Sequence, residues 1–385
     1  MKHIILAVLL LCIHCKQNKA KSLKKSKSNL LTIVAVGDIV HPCNTKLKKV
    51  FSKLGSNIYS RTRKFLQSAD LTFGNLEAPL TKQKTKRPKI YKYQFTGFPE
   101  EARWLREAGF NLLSMANNHI YDAGKKGVKD TFQYLEKQRE FSPYLKWTGA
   151  GLTKKQARKY LVFSPQGKNF KVAFLAYSYC CENKVNLFRL ARVKRDIRTV
   201  KKQADFIIVS IHYGREYTHI PSRKKRIKYK AVIKAGADLI LGHHPHVAQG
   251  VQFYHHGFIA YSLGNFAMGT KTSRYKKRKA KMYSMALRLT VKIENKKVSF
   301  LKTEIFPLYT NNAKPFRIKK KKEEFTPFIP KFSKGIFAKR ILKYIQKWSK
   351  QLPQNKTRFI LKKDKLIAEI LDEGQKGMQG ATYAP

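Results

Sequence analysis

Between Gly242 and His246 the chain reads Gly-His-His-Pro-His, directly after the apolar run Ala237–Leu241. Three imidazoles packed this tightly at the expected end of a buried strand suit a metal site, because neutral imidazole is the commonest metal ligand near pH 7. Four more polar clusters follow apolar runs in the same way. They are Gly37-Asp38 after Leu30–Val36, Gly74-Asn75-Leu76-Glu77 after Leu71–Phe73, Asn117-Asn118-His119 with Asp122 after Leu112–Met115, and His212 with Glu216 after Phe206–Ile211. Parallel strands present their carboxyl ends along one edge, where α/β proteins bind ligands. Asp38, Glu77, Asn118, His119, His212, His244 and His246 are therefore expected around a single crevice. Carboxylate, amide and imidazole together suit one or two divalent ions of borderline hardness, manganese, iron or zinc. Two such ions about 3.5–4 Å apart can clamp a phosphate and activate a bridging water at neutral pH. The sequence contains no nucleophile-elbow serine and no phosphate-binding glycine loop with its lysine.

The elements that must position these residues alternate along the chain. Leu30–Val36, Leu71–Phe73, Leu112–Met115, Val172–Tyr177, Phe206–Ile211 and Leu239–Leu241 read as buried strands. Between them Ile58–Ala69, Glu100–Ala108, Gly127–Gln138, Arg189–Gln203 and Ser222–Ala235 carry apolar residues at helical spacing. Gly109 and Gly236 stand where helix C-terminal caps are expected. Such alternation implies a largely parallel sheet with crossover helices. After Leu241, Val251–Tyr254, Phe258–Leu263, Met282–Ile293 and Val298–Pro307 read as antiparallel strands, expected to form a second sheet facing the first. Lys271–Lys281 reads as a solvated basic loop, Phe332–Leu352 and Thr357–Leu371 as helices, and Gly374–Pro385 as disordered.

Length and 43% hydrophobic content fit one large α/β domain with a C-terminal appendage. The 81 Lys and Arg residues against 23 Asp and Glu leave a net charge of +58. A surface this basic attracts polyanions, whether nucleic acid, anionic lipid, acidic polysaccharide or a polyglutamate chain. Met1-Lys2-His3 followed by the apolar stretch Ile4–Ile13 reads as an export signal, too short to span a bilayer. Residues 1–15 are thus expected to direct export, with lipidation at Cys12 or Cys15 as one outcome. An exported chain disfavours nucleic acid as its partner. Residues 16–29 read as a flexible basic tether, 30–310 as the folded domain and 311–385 as a basic extension. Cys43, Cys180 and Cys181 are an odd set that builds no disulfide framework.

Six ordered motifs closely resemble the CapA-type poly-gamma-glutamate capsule synthesis proteins, a branch of the calcineurin-like metallophosphoesterases. They are Gly37-Asp38, Asn75-Leu76-Glu77, Ala116-Asn117-Asn118-His119 with Asp122-Ala123-Gly124, His212-Tyr213-Gly214 with Glu216-Tyr217, Gly242-His243-His244-Pro245-His246, and Tyr261-Ser262-Leu263-Gly264-Asn265-Phe266. The resemblance implies a four-layer α/β/β/α sandwich and metal ligands at Asp38, Asn118, His119 or His212, and the His244/His246 pair. It implies that Asn118 binds metal while His119 positions or protonates the leaving oxygen, with Asp122 and His212 completing the catalytic set. It also implies a metal-dependent, phosphoesterase-like hydrolase or transferase at the cell surface, with an anionic polymer such as poly-gamma-glutamate or acidic polysaccharide, a membrane surface or envelope biosynthesis proteins as partners. The alternative is a non-enzymatic polyanion-binding protein that keeps the sandwich.

The chain departs from the wider superfamily at two places. Asp38 is followed by Ile39-Val40-His41, where an Asp-x-His is usual, and Asn75 and Glu77 stand where a bridging aspartate is usual. Asn117 fits a turn as well as a ligand role, and Glu77 fits pairing with a lysine as well as bridging. His243 is expected to point inward, and His219, His255 and His256 to be surface residues. Tyr91, Tyr93 and Phe95 fit a half-buried strand.

Overall fold

The computed structural model describes residues 28–41, 48–85, 94–179, 184–268, 272–309, 316–317, 324–325 and 329–371. The leader with Cys12 and Cys15, most of the tether, Cys43, Tyr91, Tyr93, Cys180, Cys181 and the tail after 371 lie outside the described residues. The strands are β1 (Leu30–Val40), β2 (Leu71–Leu76), β3 (Leu112–Ser114), β4 (Lys146–Thr148), β5 (Leu161–Phe163), β6 (Val172–Ser178), β7 (Phe206–His212), β8 (Leu239–His243), β9 (Val251–Tyr254), β10 (Gly257–Ala260), β11 (Asn265–Met268), β12 (Tyr283–Glu294) and β13 (Lys297–Tyr309). Two short strands, β14 (Phe316–Arg317) and β15 (Glu324–Phe325), pair with each other, and β16 (Thr357–Lys362) and β17 (Lys365–Ile370) form a hairpin. The helices are α1 (Lys48–Leu54), α2 (Arg63–Leu66), α3 (Glu101–Ala108), α4 (Gly124–Arg139), α5 (Lys154–Ala157), α6 (Leu190–Lys201), α7 (Arg223–Lys234), α8 (Thr272–Lys277) and α9 (Gly335–Lys350).

The parallel strands are divided between two sheets. The first runs β16-β17-β13-β12-β1-β2-β3-β4, with β11 also on β1, and the second runs β5-β6-β7-β8-β10-β9. The later antiparallel strands therefore build no sheet of their own: β12 and β13 widen the first, and β9 and β10 the second. The reason is that β1 and β8 each keep an open edge that a returning hairpin can cover. One core fills the space between the sheets, where Phe73 of β2 meets Phe174 of β6 edge to face at 5.8 Å. Buried residues of α3 and α4 join that cluster from the first sheet's side, and α6 and α7 bury Val193, Ile197, Tyr229 and Val232 in a separate cluster with Ile207 and Ile240 of the second sheet. The layers are thus the α/β/β/α sandwich the resemblance implies.

Three elements differ from the sequence reading. Ile58–Ala69 breaks into a 3-10 turn over Gly55–Tyr59 and the single turn α2. Thr357–Leu371 is the hairpin β16–β17 instead of a helix, because β17 finds β13 as a partner at Glu304 and Ile305, and Lys363 turns the chain with a φ of 44°. With α9, which packs on β13, β17 and β9, this segment is continuous with the main sheets. Lys271–Lys281 contains α8, anchored by Tyr275, which is only 1% exposed. Among the described residues no helix is long and apolar enough to cross a membrane.

Asp238, at the start of β8, accepts the Ile207 backbone N–H at 2.8 Å. Burial pushes its carboxyl up to about 7. A raised folded-state pKa means that ionising the group opposes folding, so the stability present below about pH 4 is lost as pH rises through 7. With each pKa unit worth about 1.4 kcal/mol, the loss reaches at most about 4 kcal/mol. Asp238→Asn is expected to flatten this part of the profile in denaturant titrations from pH 4 to 8, and an unchanged slope contradicts the assignment.

Candidate metal centre

β1 irregularities aim the first carboxylate. Pairing with β2 slips between Ala35 and Asp38, and pairing with β11 shifts between Asp38 and Ile39. A bulge of this kind bends the strand and re-aims a side chain. Gly37 permits it: a Cβ there would lie 1.7 Å from the Gly264 carbonyl oxygen, which instead accepts the Asp38 N–H at 2.9 Å. Asp38 thus stands beside Asn75 of β2, whose Nδ2 donates to Asp38 Oδ1 at 2.9 Å.

The second sheet supplies the imidazoles. His243 Nδ1–H donates to Asp38 Oδ1 at 3.0 Å, and His246 Nδ1–H lies 2.9 Å from Asn265 Oδ1 and 3.4 Å from Asp38 Oδ2. His212 Nε2 is 2.7 Å from Asn118 Oδ1, 3.1 Å from His244 Nδ1 and 3.4 Å from Glu77 Oε1. Ligand atoms of Glu77, His212 and His244 lie within 4.8 Å of one another, and so do those of Asp38, Glu77 and His246. Glu77 belongs to both groups. Glu216, which is exposed, forms a third such group with His244 and His246.

The turn carrying the last two imidazoles is strained. His244 has φ 90° and His246 φ 59°, a region that costs a side-chain-bearing residue about 1–3 kcal/mol and persists only where the surroundings enforce it. Here the Pro245 carbonyl accepts the Tyr217 N–H at 2.8 Å, and the His246 carbonyl accepts the Tyr275 hydroxyl at 3.2 Å. The α8 segment therefore clamps the site from above, with Arg274 Nη1 donating to Tyr217 Oη at 3.2 Å.

The electrostatics fit a cation. Burial raises the Asp38 pKa, but hydrogen bonds and charge from His243 and His246 outweigh it and hold the carboxyl well below its ordinary range. Glu77 has no such donor: burial, then the charges of Asp38 and Glu216, push it well above the carboxylate range. Neither of its buried oxygens has a hydrogen-bond partner. Burial, with the neighbouring imidazoles, lowers His212 well below its usual value and His244 to about 3, which leaves both in the neutral form that binds metal. Two orphaned carboxylate oxygens facing neutral imidazoles and an amide oxygen are the donor set of a divalent ion.

The sequence matches the family of bacterial capsule synthesis proteins, PGA_cap, over residues 32–270. The chain belongs to this family. The capsule biosynthesis protein CapA of Bacillus anthracis is 30% identical over 71% of this chain and 68% of its own length. The PGA biosynthesis protein CapA of Bacillus subtilis is 28% identical over 83% of each. A solved phosphatase from Mycoplasma pneumoniae aligns at 19% identity with a TM-score of 0.46, over 73% of this chain and 94% of that one.

In this member of the capsule synthesis family the other expected site residues divide by role. His119 stands outside the three groups of facing ligand atoms: its Nδ1–H donates to Asp122 Oδ2 at 2.7 Å, and its ring packs on Phe95 at 4.7 Å. Asp122 also accepts the Phe95 N–H at 2.7 Å, so it orients and does not face the crevice as a ligand. Asn117 is the turn residue, its Oδ1 accepting the N–H groups of His119 and Ile120. His243 is buried, as expected, and its partner is Asp38. His41 turns away from the centre and pairs with Glu101 at 2.6 Å, both buried. The extra residue between Asp38 and His41 accounts for this, because neighbouring strand positions face opposite sides.

His219, expected at the surface, is half-buried: it stacks on Trp348 at 3.8 Å, donates to the Ala248 carbonyl, and burial lowers its pKa to about 4. His255 and His256 are exposed. Sequence reasoning missed Lys225, which is buried on α7 and donates to the Tyr213 carbonyl at 2.7 Å and to Gln249 at 3.0 Å. Nothing in an otherwise lysine-rich helix marks that lysine out. Gly37→Ala, by forcing β1 and β11 apart, is expected to cost about 3 kcal/mol. A clear fall in thermal midpoint by circular dichroism checks it, and an unshifted midpoint means the close approach is dispensable.

Proposed function

We propose that this chain is a metal-dependent hydrolase or transferase that acts at the cell surface on a phosphate-containing or polyglutamyl substrate, in making, exporting or anchoring an anionic capsule polymer. Family membership and two relatives named for capsule and PGA biosynthesis support the biological setting. The observation that carries the chemistry is Glu77, buried, shared by two ligand groups and without a hydrogen bond at either oxygen. Asp38, Glu77 and His246 would hold one divalent ion, and Glu77, Asn118, His212 and His244 a second. Such ions, manganese, iron or zinc, supply charge neutralisation and an acidified water.

The remaining steps fall to the protein. Asn75 and His243 fix the Asp38 carboxylate so that its second oxygen faces the crevice. Asp122 holds the Nδ1–H of His119, which leaves Nε2 as the nitrogen that delivers a proton to a departing oxygen, while Asp122 stabilises the imidazolium. The leader at residues 1–15 supports export, with Cys12 or Cys15 as lipid attachment points, and the +58 charge supports an anionic polymer or membrane surface as partner. The same charge favours a second reading, a polymer-binding scaffold without catalysis.

Metal content separates the two. Purified without a metal-binding tag, the wild type is expected to carry or take up one or two equivalents of manganese, iron or zinc by mass spectrometry, and His244→Ala/His246→Ala to lose them. A well-folded wild type that binds no ion overturns the enzyme. Glu77→Gln is expected to weaken ion uptake at least tenfold while leaving the chelated protein at least as stable as wild type, since it removes a buried, unpartnered acid. Destabilisation of the chelated variant contradicts this role for Glu77.

A further inference from the structure

Away from the metal centre, Lys154, Arg158, Arg189 and Arg192 line a pocket of about 180 Å³ together with Val185 and Leu187. No carboxylate among the described residues lines it. Among the described residues the ion pairs engage other lysines and arginines, and none of these four. Asp196, one turn further along α6, is the nearby acid: its Oδ2 accepts the Tyr177 hydroxyl at 2.9 Å and its charge offsets part of that of Arg192 and Arg158 without lining the pocket. Desolvation and then the charge of Arg158 lower the Arg192 pKa, so these like charges are held close enough to repel.

Residue type argues against background charge. Only 20 of the 81 basic residues are arginine, yet arginine supplies three of the four cations here. A self-solvating surface in this chain would present mostly lysine. Guanidinium offers a planar fork that grips carboxylate or phosphate with two parallel hydrogen bonds.

Position links the pocket to the crevice. Lys154 and Arg158 follow β4, and Arg189 and Arg192 follow β6, at the same strand ends where β1, β2, β3, β7 and β8 deliver the facing ligand atoms. β6 pairs directly with β7, whose last residue is His212, and neighbouring strands lie about 4.8 Å apart. A chain laid across the strand ends from the metal centre therefore meets this pocket next.

We propose that this pocket is an anion-binding subsite that holds a carboxylate of an extended polycarboxylate chain, separate from the metal ligands. The proposal rests on the reading that the protein handles an anionic polymer. Anisotropy of a fluorescein-labelled poly-gamma-glutamate oligomer, with the whole chain at 0.15 M salt, tests it. Arg158→Ala/Arg192→Ala is expected to weaken binding at least tenfold, and Lys339→Ala/Lys343→Ala, which removes two exposed charges from α9, less than twofold. Arg158→Lys/Arg192→Lys keeps the charge without the forks and is expected to fall between, with unchanged melting temperature. Equal losses in the pocket and control variants overturn the subsite while leaving the partner reading intact. Failure of the wild type to bind the oligomer at all overturns both. Polyphosphate that binds more tightly than the oligomer, and needs the same two arginines, overturns the carboxylate assignment. His244→Ala/His246→Ala is expected to keep the arginine-dependent binding, and its loss contradicts a separate subsite.

Discussion

Asp38 and Glu77 end neighbouring strands with no exposure to water. Two carboxylates in a dry, low-dielectric space repel one another and forfeit their hydration, a penalty of several kcal/mol per ion unless compensated. The protein compensates one of them. Asp38 receives Asn75, His243 and the edge of His246, so its charge is kept. Glu77 has no hydrogen bond at either oxygen, only His212 Nε2 at 3.4 Å from Oε1, and burial followed by the charges of Asp38 and Glu216 raises its proton affinity. An acid buried in that way costs stability as protein alone and repays it only by meeting a cation or a proton. The surrounding architecture fits that debt: His212 and His244 are kept neutral by burial, free to accept a cation, and an amide oxygen lies beside them.

Holding such a group demands a stiff frame. Two stacked sheets let ligands approach from opposite sides, acids and amide from the first and imidazoles from the second, which one parallel sheet cannot do. The frame is tight where it matters. Gly37 and Gly242 lie so close to the carbonyls of Gly264 and Tyr261 that a single Cβ would collide with either. The left-handed backbone at His244 and His246 is held by Tyr217 and Tyr275, so the strain is secured by α8. A basic segment that reads as solvated loop thus acts as a fastening, through one aromatic side chain that charge counting overlooks.

The legibility of the sequence follows the range of the interactions. Strand ends bearing Asp38, Glu77, Asn118, His212, His244 and His246 are visible because apolar run and polar cluster adjoin in sequence. The partition into two sheets is not, since it depends on which strand edges meet across long separations. The β16–β17 hairpin was hidden for the same reason: its apolar residues fit either period, and pairing with β13 decides. His119 and His212 share a cluster type, yet one bonds to Asp122 and the other faces Glu77, a distinction that only side-chain direction makes. His41, one residue out of place, is sent to Glu101 by strand alternation, which a pattern search alone does not weigh.

The charge distribution sets a final constraint. A body of net charge +58 draws polyanions to its surface. Inside the crevice, however, Asp38 and Glu77 are buried together, with Glu216 exposed beside them. An anionic chain drawn in by the surface meets opposing charge at the point where chemistry is proposed to occur. On that reading a divalent ion reverses the sign of the local field, and the buried acids that bind it prevent an anion from settling in the crevice without it. Among the described residues the arginine-lined pocket carries no such acids, and on the same reading it would grip the polymer whether or not the centre is charged with metal. On that reading attraction, retention and chemistry fall to three separate sets of residues, with Asp38 and Glu77 the buried carboxylates set aside for the chemistry.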